Sequence, residues 1–349
     1  ISDISALAQV KDLENLKLYD MDEVNDFTVL NVLKKLRSLS IDAENLKDIS
    51  FINHMPELAS LGITDSKILL LDPLVGKESL KELVLVDNGE VRDYNPVGTL
   101  TGLETLVINK YTSQEDPDLT ALTGLKHGEF HGMMGIRFLG SLTGLEELKV
   151  QGCNVDQPSV IASLPALKKL TYRKNWGNSD DLSFLAGCQG LTCLDMNHSE
   201  FYGDVSYAFN LPALETLILD SSSFEVKFDR LQDNPALKAL SLNHVKLYKN
   251  IEMWSDGMVR SINYDDVLLD EYTSFLGHYP WLEYLSLRGN QLTDLQFAAG
   301  LKNLRELDVT DNYVTDTHVL DQLEYLGKDS TVKRPMADVD WIDTVEDSH

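Results

Sequence analysis

Along almost its whole length the chain repeats a comb of apolar residues set among polar ones. The spacing L-x-x-L-x-L appears at Leu13-Leu16-Leu18, Leu80-Leu83-Leu85 and Leu282-Leu285-Leu287, and in looser form at many places between. Counting from the first residue of each comb gives 14 units, beginning at Leu13, Leu36, Leu58, Leu80, Leu103, Leu125, Leu145, Leu167, Leu191, Leu214, Leu237, Val259, Leu282 and Leu304, with gaps of 20 to 24 residues. The central L-x-L has a period of two, so its apolar residues share one side of a short strand and the residues between and beside them share the other. A return segment follows in which apolar residues recur at every third position, as in Leu119-Leu122-Leu125 and Ile161-Leu164-Leu167. With Gly124, Gly144, Pro165 and Pro212 interleaved, that spacing predicts 3₁₀ turns, short helical pieces or extended segments instead of long amphipathic helices.

The units resemble leucine-rich repeats of the 22-residue class, found in bacterial internalins and in eukaryotic phosphatase-regulating repeat proteins. The stretch LEYLSLRGNQLTDLQFAAGLKNL from Leu282 to Leu304 carries the resemblance well. It implies an α/β solenoid: a right-handed leucine-rich-repeat superhelix with a concave parallel β-sheet and a convex side of 3₁₀, short helical or extended segments. One such array covers residues 1–327, because a repeat this short buries its core only against its neighbours. The half-repeat at residues 1–12 is expected to cover the first coil, and residues 328–349, with Val332, Val339, Trp341 and Ile342, to form a C-terminal cap and acidic tail. Members of the class carry Asn at the ninth position of the repeat. Here only Asn88, Asn175, Asn290 and Asn312 do so; Cys153, Ser66, Ser199 and Ser222 stand elsewhere, or Met21, Met133, Val245, Val267 and Tyr111. An irregular ladder of loop hydrogen bonds is therefore expected.

Charge narrows the classes of partner. Asp and Glu number 56 against 30 Lys and Arg, a formal charge of -26, which repels phosphate backbones and anionic lipid. Nucleic-acid binding is not expected, nor is membrane insertion, since no apolar run approaches the length that spans a bilayer. Cys153, Cys188 and Cys193 are too few for a disulfide framework and lack the paired spacing of a zinc site. The chain begins at Ile1 without a basic or apolar leader, as a processed polypeptide would.

With the L-x-L residues turned inward, positions three, five and seven of each unit face the concave side. A central group stands out: His127, Glu129 and His131, then Glu147, Lys149 and Gln151, then Lys169, Thr171 and Arg173. These nine carry three positive and two negative formal charges within a strongly acidic molecule, the pattern of a mixed-charge docking patch. Val84, Val86 and Val107 occupy the same face nearby and are expected as a small exposed apolar patch, although valine is also simply a good strand former. Tyr284 and Arg288 add an aromatic and a cation on the later units, and Trp176 and Tyr313 stand one residue past the loop Asn position, where aromatics anchor partners. His127, Glu129 and His131 sit at strand spacing, close enough for two imidazoles to share an ion; ordinary polar surface is the preferred reading, and no metal or other cofactor is assigned. Asp195, Asp220, Asp265, Glu306 and Asp308 lack the spacing of a calcium loop and read as a solvated acidic face.

Catalytic motifs are missing from the chain: Gly76-Lys77 lacks the upstream glycines of a phosphate loop, and no nucleophile elbow appears. Cys193 is expected as a surface thiol, not a nucleophile paired with His198. The function expected is non-catalytic recognition of another protein, or of a polysaccharide, by a monomer using its concave sheet and adjacent loops. The internalin resemblance implies an exported or cell-surface bacterial protein. The alternative is an intracellular regulatory subunit docking on an enzyme such as a phosphatase, an environment in which free thiols persist.

Overall fold

Nearly every turn of the array is closed by one residue in the left-handed region of backbone space. In the computed structural model, which describes residues 1–110, 115–248, 250–253, 259–263 and 269–327, φ is positive at Asp20, Asp65, Asp87, Gly132, Gly152, Lys174, His198, Ser221, His244, Gly289 and Asp311. Each is the eighth residue of its unit, one to three residues past the end of its ladder strand. Short polar side chains bear this conformation at lower cost than branched ones, which explains the repeated Asp, His and Ser there. At Gly132 a side chain is excluded on a second ground, since a Cβ would lie 1.9 Å from the Lys110 carbonyl oxygen.

The chain divides into two compact units, Ile1–Gly190 and Leu191–His349. In the first, parallel ladder strands β1 (Asn15–Leu18), β2 (Ser38–Asp42), β3 (Ser60–Thr64), β4 (Glu82–Val86), β5 (Thr105–Asn109), β6 (His127–His131), β7 (Glu147–Gln151) and β9 (Lys169–Arg173) pair in that order, while β8 (Asn154–Val155) and β10 (Trp176–Gly177) form a separate two-stranded ribbon. In the second, ladder strands β11 (Cys193–Asp195), β13 (Thr216–Ile218), β15 (Ala239–Ser241), β19 (Tyr284–Ser286) and β20 (Glu306–Asp308) pair in order; β12 (Glu200–Asp204), β14 (Ser223–Glu225) and β16 (Lys246–Leu247) make a second parallel sheet, and β17 (Asn250–Met253) pairs antiparallel with β18 (Val259–Asn263). The register is strict: Leu16, Leu39, Leu61, Leu83 and Leu106 are successive cross-strand partners. This is the solenoid that the leucine comb predicts.

The return segments confirm the period of three. Leu30 donates to Phe27, Leu33 to Leu30 and Leu36 to Leu33 through backbone bonds of 3.0 to 3.3 Å, and Ile136, Leu139, Leu142 and Leu145 repeat the staircase. Each step is an i to i−3 bond, the 3₁₀ pattern, and it turns one buried side chain per step into the core. In β6 the usual inward leucine is Gly128. The Phe130 ring fills the vacated space, so closely that a Cβ on Gly128 would stand 2.7 Å from it, and it meets Phe138 edge to face at 5.0 Å.

The ninth-position ladder is more regular than its residue types suggest. Asn88, Asn175, Asn290 and Asn312 donate to the carbonyls of Ile63, Val150, Leu242 and Leu287 at 2.6 to 3.0 Å, in each case the sixth residue of the preceding unit. Ser222 reaches Met196 O at 3.0 Å and the Cys153 thiol reaches Phe130 O at 3.3 Å, the equivalent acceptors. The return bond is kept as well: Cys153 N donates to Asn175 Oδ1, Ser199 N to Ser222 Oγ and Val245 N to Asn290 Oδ1, at 3.0 to 3.1 Å. A short polar atom at the right height suffices to satisfy the buried backbone.

One expected unit is not a rung. Leu240 of β15 pairs directly with Leu285 of β19, and Asn290 bonds Leu242 across 48 positions of sequence. The residues around Val259 instead form the β17–β18 hairpin, in which Ile251 faces Ile262. The described ladder strands therefore number 13, not 14: Val259 and Ile262 imitate the comb's spacing but belong to the hairpin. Val267, Asp265, Tyr111 and the expected cap at 328–349 lie outside the described residues. At the other end, Leu13 and Leu16 are half-buried while Leu36 and Leu39 are fully buried, and the short 3₁₀ segment Ser5–Gln9 buries none of its residues. Residues 1–12 cover the first coil only in part.

Candidate functional site

The parallel register of β6, β7 and β9 sets the nine central residues in a grid of three rows: His127, Glu147 and Lys169; Glu129, Lys149 and Thr171; His131, Gln151 and Arg173. Strands about 4.8 Å apart let long side chains meet across the rows. Glu129 Oε1 accepts from His131 Nε2 at 2.6 Å and from Lys149 Nζ at 2.8 Å. Glu147 accepts from Lys169 Nζ at 2.7 Å and lies 3.3 Å from His127 Nδ1. The middle row is the dry one. Glu129 is 8% exposed and the Lys149 side chain 13%, against 40% for Lys169. Burial pushes the Glu129 carboxyl up, but the hydrogen bond from His131 and the charge of Lys149 outweigh it and hold the group below its ordinary range. Thr171 is fully buried and its hydroxyl makes no hydrogen bond.

Residues 280–322 match the family model for leucine-rich repeats in two copies. Together with the ladder, that decides the fold. The chain folds as a leucine-rich-repeat solenoid. Among solved structures it is similar to an internalin of Listeria monocytogenes, at 21% identity and a TM-score of 0.62 over 94% of this chain and 83% of that one. A leucine-rich-repeat protein of Leptospira interrogans aligns at 18% identity and a TM-score of 0.67 over 93% of this chain and 85% of that one. A complex of TLR13 with single-stranded RNA aligns at 17% and 0.58, covering 92% of this chain and 43% of the receptor. At these identities the likeness is one of fold. No curated protein matches the sequence.

Other expected features of this leucine-rich-repeat face are altered by burial. Val84 is half-buried, but Val86 and Val107 are buried, so the three valines do not form an exposed patch. Val84 and Val107 are cross-strand partners, and Val84 keeps some exposure because its other neighbour, Gly62, has no side chain. Lys149 is likewise packed, not solvated, and Arg173 is half-buried. His127 and His131 serve different carboxylates, and among the described residues no three His, Cys, Asp or Glu side chains come together as metal ligands. All three cysteines are free and buried. Cys193 is therefore not a surface thiol, and burial pushes the Cys153 thiol up to about 12 and Cys188 to about 11. Trp176 on β10 and Tyr313 are exposed as expected, at 48% and 68%. No helix among the described residues is long and apolar enough to cross a membrane.

In the second unit Asp220, on the same face, is engaged by its neighbours. Asp220 accepts from Ser241 Oγ at 2.6 Å and from the backbone and side-chain nitrogens of Asn243 at 2.9 and 3.0 Å. Asn243 Oδ1 in turn accepts from Ser286 Oγ at 2.6 Å and from Arg288 N at 2.8 Å. Arg288 extends to Asp311 at 2.6 Å, Asp195 is buried, and Tyr284 is half-buried. This relay escaped the sequence reading, although Asp220, Asn243 and Arg288 stand at position seven of their units, the signal that would have found it. The Lys110–Asp116 pair, 2.8 Å with a fully buried ammonium, also lay beyond it.

Proposed function

We propose that this chain is a non-catalytic recognition module that binds a protein partner through the face of β6, β7 and β9 and the adjoining rim. The single observation that carries the reading is the grid itself. Its charged side chains are fixed against one another, Glu129 by His131 and Lys149, Glu147 by Lys169. Side chains already ordered lose little conformational entropy on binding. The partner surface comprises His127, Glu129, His131, Glu147, Lys149, Gln151, Lys169 and Arg173, with Val84 at one margin and Trp176 on the rim; the buried Val86 and Val107 flank it on β4 and β5, Val107 in register with Glu129. Tyr284 and Arg288 belong to a second patch in the other unit. A net charge of -26 favours a protein over a nucleic acid, and the internalin resemblance supports export to a bacterial cell surface.

The test is capture of a partner by the intact chain, identified by mass spectrometry, then repeated with Lys169→Glu and with Trp176→Ala. The Trp176 side chain is exposed and its variant should melt with the parent, whereas Lys169 is partly exposed and paired with Glu147, so its variant should melt somewhat lower; both should stay folded and yet lose most of the capture. Full capture by both variants removes this face from the site.

A further inference from the structure

We infer that the face of β6, β7 and β9 takes an acidic segment of its partner, and that His127 and His131 make that capture stronger as the pH falls. The inference rests on the recognition reading and adds the partner's chemistry and its regulation. Lys149, Lys169 and Arg173 give three positive charges against Glu129 and Glu147, one net positive charge with both histidines neutral. Histidine is the side chain whose charge changes between pH 5 and 8, and protonating both raises the sum to three.

The geometry couples these rings to the face. His131 is nearly buried, with Nε2 on Glu129 Oε1 at 2.6 Å, and Lys149 of β7 shares that oxygen. Its cross-strand neighbours are Asn109 of β5 and Gln151 of β7. His127 lies against Glu147 of β7, whose other oxygen holds Lys169 of β9, and its neighbour on β5 is Thr105. Past the end of β5 the nearby charged pair is Lys110 with Asp116. The Glu129 carboxyl is held below its ordinary range by His131 and Lys149, so it keeps its charge as the pH falls to 5.5. Protonation of the rings thus adds charge beside an ionised Glu129, and the surplus is available to an incoming acidic chain. The many distant acidic residues oppose this weakly at physiological salt, where screening acts beyond about 8 Å.

The experiment measures binding of fluorescently labelled decaglutamate to the full chain by anisotropy, at 150 mM salt and at pH 7.5 and 5.5. The wild type should bind about fivefold more tightly at the lower pH. His127→Gln/His131→Gln should bind with the same affinity at both, and His127→Gln alone, at an exposed position, should keep part of the gain. Equal wild-type affinity at the two pH values overturns the histidine control, as does a full pH gain in the double variant. Binding that is unchanged in Lys169→Glu shows that the probe sits elsewhere and overturns the recognition face itself. No binding by the wild type at either pH overturns the acidic partner.

Discussion

The two units face the same structural problem, polar side chains crowded on a parallel sheet, and solve it with different chemistry. On β6, β7 and β9 the neighbours are ions: Glu129 held by His131 and Lys149, Glu147 by Lys169. On β13, β15 and β19 a carboxylate is served by neutral donors, Asp220 by Ser241 and Asn243, with the relay continuing to Ser286. An ionic grid is expensive to desolvate and punishes the loss of one partner heavily. A neutral relay asks less of each member and releases less when one is removed. The first arrangement pairs charge with charge across strands; the second satisfies its carboxylate with neutral groups.

That contrast is open to attack by substitution. The largest effect is expected for Lys149→Glu, which sets a like charge against the buried Glu129 and should lower stability by about 3–5 kcal/mol. Urea unfolding monitored by circular dichroism measures it, and a loss near zero would mean the middle row is wetter than described. Next comes Asn243→Ala, which strips the side-chain donor from Asp220 and the acceptor used by Ser286 and Arg288. The backbone donor to Asp220 survives the change, so the cost should be about 1–3 kcal/mol, and hydrogen exchange should place it within residues 191–327. A loss equal to that of Lys149→Glu would erase the distinction between ionic and neutral faces. The smallest effect concerns acid. Because the folded pKa of Glu129 is depressed, its contribution is complete above the ordinary carboxyl value of 4.5 and is lost as the pH falls from there toward the depressed value. Glu129→Gln should therefore unfold with a flatter pH dependence below 4.5, and matching slopes would refute the assignment.

How much of this was readable beforehand depends on what each residue's environment is made of. The comb at Leu36-Leu39-Ile41 or Leu282-Leu285-Leu287 states its own burial, because its neighbours are copies of itself. The three-residue staircase, as at Leu139 and Leu142, is legible for the same reason. Side chains of the polar face are different, since their exposure is set by whichever residues stand at the same height on adjacent strands. Val86 and Lys149 look like surface when read along the chain and become interior when read across it. Ser222 and Cys153 looked like defects in the asparagine ladder, yet each presents a polar atom at the required height. Val259 misled in the opposite sense: its local spacing is right, but Leu285 is already in register with Leu240, so the sheet had no place for another strand.

The hairpin of β17 and β18 shows what the array requires of its polypeptide. Since Asn290 ties straight back to Leu242 and Val245, the scaffold on either side is complete without the excursion, and its geometry is indifferent to how much chain leaves and returns at that corner. Such a corner is where a repetitive scaffold can take on an individual appendage: a new module can be lengthened, exchanged or removed there while every rung keeps its seat.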